Sequence, residues 1–98
     1  MEKDTHKTTV IFRKFKEGDV IALFPYIIEN HRGDVLSYMH IGQHGGASLG
    51  LVYNTKLATP EEYADLKQEL ENHYGYNLDI RKRVNHSKYQ ISRKTAKL

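Results

Sequence analysis

Two sets of residues in this sequence have types and spacings that can do chemistry. The first is cationic. Arg81, Lys82, Arg83, Lys88, Arg93, Lys94 and Lys97 place seven positive charges in positions 81–98, with no acid among them. A stretch of this kind neutralises phosphates, because each Lys or Arg set against a polyanion releases condensed counterions. Arg81, Arg83, Lys88, Arg93 and Lys94 are the residues expected to carry that contact, without base-specific readout. His86 and Tyr89 lie among them and offer rings that stack on unpaired bases. The plainer reading is a solvated, frayed C-terminal segment. Positions 1–80 hold twelve acidic against eight basic residues, a net charge of −4, so the overall +3 conceals a split. The expected partner is nucleic acid or a nucleic-acid-associated protein.

The second set is built on imidazole. His40 and His44 stand four apart, a spacing that on a helix brings two metal ligands to one face. Gly42, Gly45 and Gly46 argue against a helix there, and no Glu follows His40, so the H-E-x-x-H pattern is absent. A catalytic zinc usually takes three protein ligands; His31 or Asp34 would have to supply the third. No metal and no cofactor is expected, and Tyr38, His40 and His44 stand as a candidate pocket. Ser37 and Ser48 come with no nucleophile elbow. The glycine-rich run Gly42–Gly50 fits neither phosphate-binding pattern, Gly-x-x-x-x-Gly-Lys-Ser/Thr or Gly-x-Gly-x-x-Gly, and reads as a connecting loop.

The elements that must position these residues follow from periodicity and turn chemistry. Thr8 to Phe15 is β-branched and aromatic, a strand. Lys16-Glu17-Gly18-Asp19 is a turn in which glycine supplies a positive φ. Val20 to Phe24 is a wholly apolar strand that Pro25 is expected to end. Phe12, Phe15 and Phe24 are expected in the core. Val35 to Ile41 is a third strand, with Val35, Ser37, Met39 and Ile41 on one face and Leu36, Tyr38 and His40 on the other. Leu51-Val52-Tyr53 is a short strand or an apolar patch. Thr59-Pro60-Glu61-Glu62 carries an N-cap, a proline at the first helical position and a capping box. It opens a helix over 60–74 whose stripe is Tyr63, Leu66 and Leu70, and Gly75 stops it. Tyr76 to Val84 is a last strand, with Tyr76, Leu78, Ile80, Lys82 and Val84 facing one way.

The order β-β-β-α-β predicts an α+β fold: a small, mostly antiparallel sheet with one helix packed on one face. One helix cannot cover both faces. The second face must be polar, paired with another subunit, or covered by loop and tail; Tyr38 and His40 are placed there. The expected organisation is a disordered lead-in at 1–7, one domain over 8–84, and a basic tail at 85–98. The absence of cysteine excludes disulfides, thiolate metal sites and a Cys nucleophile. No apolar run is long enough to cross a bilayer, and the polar start lacks the apolar stretch of a signal peptide. A cytoplasmic location is expected, with no membrane partner.

Four blocks, Thr8-Thr-Val-Ile-Phe-Arg-Lys-Phe15, Gly18-Asp-Val-Ile-Ala-Leu-Phe-Pro25, Ser37-Tyr-Met-His-Ile-Gly-Gln-His-Gly45 and Thr59-Pro-Glu-Glu-Tyr-Ala-Asp-Leu-Lys-Gln-Glu-Leu70, together resemble a family of small uncharacterised proteins encoded in bacterial mobile elements, phages and gut-bacterial genomes. The resemblance spans residues 8–84 and implies a bacterial or phage cytoplasmic setting and an accessory role. It assigns no catalytic or binding residue. The leading expectation is a non-enzymatic binding module touching nucleic acid through its basic C-terminus. Its alternatives are a protein-interaction domain or homodimer using the open sheet face or the glycine loop, and a small metal-dependent or hydrolytic enzyme using His40 and His44.

Overall fold

The computed structural model describes residues 7–39 and 44–96. His40, Ile41 and most of the expected lead-in lie outside the described residues, as does Lys97. The strands are β1 (Thr8–Lys14), β2 (Val20–Ile28), β3 (Val35–Tyr38), β4 (His44–Ala47), β5 (Lys56–Leu57) and β6 (Leu78–Ile80). The helices are α1 (Pro60–His73) and α2 (His86–Thr95), and a 3-10 helix runs over Leu49–Asn54. The sheet order is β4-β3-β2-β1-β5, antiparallel throughout. The free edge of β1 is shared: β5 pairs with Arg13 and Lys14, and β6 runs parallel to Thr8–Val10. The fold is α+β with a mostly antiparallel sheet and a helix packed against it, as the element order predicts.

The hairpin β1–β2 turns where expected, with Gly18 at φ +105°. Beyond it, β2 does not end at Pro25. It runs to Ile28, and the register with β3 shifts between Phe24 and Ile28. A proline lacks the N–H a regular ladder requires, and a bulge is where a strand tolerates it. The expected glycine loop is also corrected. His44–Ala47 is the edge strand β4, because β3 supplies a ladder partner for each residue, Tyr38↔His44 through Val35↔Ala47. An edge position asks little of side chains, and Gly46 lies so close to β2's end that a Cβ would stand 3.3 Å from the Glu29 side chain. Leu51-Val52-Tyr53 is helical, of the 3-10 type, and not a strand.

Strand alternation sorts the core into two layers. Val10, Phe12, Ala22, Phe24 and Tyr38 face α1, which buries Leu66 and Leu70 among them. Phe12 stacks on Tyr63 at 4.3 Å between ring centroids, and Phe24 on Tyr76 at 5.1 Å. The capping box forms as read: the Thr59 hydroxyl accepts from the Glu62 N–H, and Glu62 accepts from the Thr59 N–H. Tyr38 belongs to this covered face, fully buried, and not to the opposite one. Ile11, Arg13, Ile21, Leu23 and Val35 point the other way by the same alternation.

That second face is covered too. Residues expected as a weakly periodic tail fold into α2, capped by Asn85 accepting from the Lys88 N–H at 3.0 Å. Tyr89 enters the layer of Ile21, Leu23 and Val35, and Leu49, Leu51 and Val52 of the 3-10 helix pack against it as well. Val84 joins this layer and not the α1 layer, because β6 ends at Ile80 and the chain crosses over before α2. Of the three fates open to the second face, coverage by loop and tail is the one observed.

Candidate functional site

The five cations expected to meet a polyanion divide by what holds them. Arg81 Nε donates to both carboxylate oxygens of Asp79, at 3.0 and 3.1 Å. Lys88 lies with its ammonium 4.7 Å from the centroid of Tyr26, a cation–π contact. The same Tyr26 hydroxyl accepts from the Asn85 N–H at 2.8 Å, so one ring supports both the cap and the first turn of α2. Arg93 Nη2 donates to the Arg32 carbonyl at 3.2 Å, beside Tyr89, whose hydroxyl donates to the Gly33 carbonyl at 2.7 Å. Arg83 and Lys94 are exposed and make no ion pair among the described residues. Lys82, which the sequence reasoning left out of the set, is in the same state.

At 100° per residue, the side of α2 opposite Tyr89 carries Ser87, Ile91 and Lys94, with Lys88 on its flank, while Arg93 lies on the Tyr89 side and reaches the β2–β3 turn. Ile91 is 61% exposed. Arg93 and Lys94 sit in the last turn, where positive charge is favourable against the helix dipole. The helix is therefore an anchored cationic ridge, fastened at the turn between β2 and β3 by Tyr89 and Arg93. Its position and rigidity are what the sequence reasoning missed. A single buried ring gives no stripe to detect, and its partner carbonyl is 56 residues away.

The candidate pocket residues Tyr38 and His44 are brought together. Cross-strand pairing sets His44 against Tyr38, with ring centroids 4.6 Å apart. Tyr74 meets the His44 ring edge-on at 5.0 Å, and the Tyr76 hydroxyl is 3.5 Å from His44 Nε2. The Tyr38 hydroxyl donates to the Glu69 carboxylate. Burial raises the Tyr76 phenol above its ordinary value, and a charge on Tyr74 would raise it further. His40 lies outside the described residues, so its pairing with His44 is not part of this geometry. Among the described residues no three His, Asp or Glu side chains converge to hold a metal ion, and no buried side-chain polar atom lacks a hydrogen-bond partner. What is described here is an aromatic and imidazole cluster that closes one corner of the α1 layer.

Comparison with family models, with curated proteins and with solved structures finds no match.

A third feature had no single signal in the sequence. Lys14 of β1, Lys16 and Glu17 of the hairpin turn, and Tyr53, Asn54 and Lys56 before and within β5 line a cleft of about 820 Å³. The pairing of β1 with β5 is what gathers them, setting Lys14 directly opposite Lys56. Arg13 holds the far wall from beneath, donating to the Val52 carbonyl at 2.8 Å, the Thr55 hydroxyl at 3.0 Å and the Thr55 carbonyl. Burial lowers the pKa of its guanidinium, which nonetheless stays protonated at any ordinary pH.

Proposed function

We propose that this protein is a cytoplasmic, non-enzymatic binding module that contacts nucleic acid through its phosphates, using the outer side of α2 and the residues between β6 and α2. One observation carries the reading. Residues 81–96 hold six cations and no acid, and among the described residues only Arg81 is ion-paired. A cationic ridge on a docked helix presents its charges without the ordering cost that a free tail would meet on binding. The resemblance to mobile-element and phage proteins supports the accessory setting. Backbone contact of this kind places the protein on a strand without reading its sequence.

Fluorescence anisotropy with labelled single-stranded and double-stranded oligonucleotides tests it. Three to four phosphate contacts on duplex DNA give a log–log salt slope of about −3, so affinity falls about 60-fold between roughly 50 and 200 mM salt. The triple variant Lys82→Ala, Arg83→Ala, Lys94→Ala flattens that slope while circular dichroism stays native, since none of the three exposed side chains is ion-paired among the described residues. Absence of binding at the lowest salt, or a triple variant that binds like the wild type, overturns the reading. Deleting residues 85–98 is the wrong test, because it strips the cover from Ile21, Leu23 and Val35.

A further inference from the structure

The cleft at the hairpin end of the sheet lies away from α2, which is fastened at the β2–β3 turn, the opposite end of β2. Its volume of about 820 Å³ is within the range of sites that hold small molecules, roughly 300–1,000 Å³. Three lysines and one glutamate lie on its walls. Lys14 and Lys56 are a direct cross-strand pair, and like charges facing each other across two strands are destabilising. Lys14 is partly relieved by an ion pair with Glu62 of α1. Lys56 and Lys16 have no ion pair among the described residues, so an anion bound at Lys56 offsets the cross-strand repulsion from Lys14 that Glu62 only partly relieves, and Lys16 in the lining of the same cleft supplies a second cation for it.

Beside the lysines stands a ring with no packing role. Tyr53 is 80% exposed, whereas its neighbours Leu49, Leu51 and Val52 on the same 3-10 helix pack into the second layer. The three hydrogen bonds from Arg13, and the Thr55 hydroxyl donating to the Leu51 carbonyl at 2.9 Å, fix the backbone on which it rides. An exposed aromatic on a pinned wall is a ready stacking platform for a planar base.

We propose that this cleft binds a nucleoside phosphate, its phosphates between Lys16 and Lys56 and its base stacked on Tyr53. The ligand is either a free nucleotide or the phosphorylated end of a single strand; the chemistry recognised is the same. The site is separate from the α2 ridge and does not depend on the function proposed for it.

The test is a titration of the full chain, followed by amide NMR shifts and tyrosine fluorescence, with ATP, adenosine, tripolyphosphate and a short 5′-phosphorylated single-stranded oligonucleotide. ATP shifts the amides of Lys16, Tyr53, Asn54 and Lys56 saturably and binds more tightly than adenosine or tripolyphosphate. Tyr53→Ala weakens ATP binding about fivefold to a hundredfold, the range of one base–aromatic stack. Lys16→Ala with Lys56→Ala weakens it further at low salt. The variant lacking Lys82, Arg83 and Lys94 binds ATP like the wild type. In that background, an oligonucleotide that binds more tightly than ATP and loses affinity with Tyr53→Ala identifies a strand end as the ligand; the reverse ranking identifies a free nucleotide. Absence of saturable shifts at these amides, or tripolyphosphate binding equal to ATP and indifferent to Tyr53→Ala, overturns the proposal and leaves the salt-dependent binding by α2 untouched.

Discussion

The two faces of the sheet are covered by different means. On one, α1 runs fourteen residues, opens with a complete capping box and buries two leucines against Val10, Phe12, Ala22 and Phe24. Its attachment is spread over many apolar contacts, and rings from α1 and from the segment after it stack on the strand phenylalanines. On the other, the ten-residue α2 buries one side chain, Tyr89, and relies on that hydroxyl and the Arg93 guanidinium to reach two consecutive carbonyls, at Gly33 and Arg32. Area-driven attachment is non-directional and tolerant. Attachment through a few polar anchors is local and fails when one anchor is displaced. The contrast also separates roles: the strongly packed helix leaves its acidic face to solvent, and the lightly fastened one presents the cations.

The largest effect is expected on the apolar side. Leu70→Ala removes a fully buried side chain from the α1 layer and costs about 2–5 kcal/mol, the usual range for such a truncation. In urea denaturation the midpoint drops, and hydrogen exchange accelerates in both helices together, because the whole sheet loses its main layer. A smaller, localised effect is expected at Gly33. It sits at φ +90°, and a Cβ there would stand 2.6 Å from Arg93 Nε and 2.7 Å from the Tyr89 hydroxyl. Arg93 can swing aside; the Tyr89 ring moves only by giving up its hydrogen bond. Gly33→Ala is expected to cost about 1–3 kcal/mol in backbone strain and lost contact, with amide exchange rising in α2 while α1 stays protected. Equal acceleration in the two helices would show that the faces form one cooperative unit and that the contrast between them is only descriptive.

The same contrast explains what was legible in the sequence. The hairpin turn at Gly18 and the start of α1 at Thr59-Pro60-Glu61-Glu62 are encoded within four residues each, and both form where the local pattern puts them. The alternation of Leu36 and Tyr38 against Val35 and Ser37 was legible for the same reason. The face that each set takes was not, since it depends on which side α1 returns to. α2 was illegible because its apolar signal is a single ring, with Ile91 pointing to solvent. β4 was illegible because glycine density argues for a loop, and only the ladder offered by β3 overrides it. The cationic cleft needs residues 14 and 56 side by side, a juxtaposition that no local window contains. Of the candidate site residues, the charges were readable by composition. Their division into anchored (Arg81, Lys88, Arg93) and unpaired (Arg83, Lys94) was set by tertiary contacts.

The smallest effect tests the α1 face at its rim, where attachment is electrostatic and not apolar. The Lys14 ammonium, first, and the Thr59 N–H hold the Glu62 carboxyl below its ordinary value of 4.5. A depressed folded pKa contributes stability that is present above the unfolded value and lost as pH falls through the folded one. Glu62→Gln keeps the side-chain oxygen that the capping box needs and removes only the charge. The wild type is therefore expected to melt slightly above the variant near neutral pH, with the gap closing as the pH is taken below 4.5 and shrinking at high salt, as an exposed pair should. A variant that melts with the wild type at neutral pH would assign the effect of Glu62 to the cap alone, since the cap is what the two share. The rim of α1 would then be held, like α2, by hydrogen-bond geometry and not by charge.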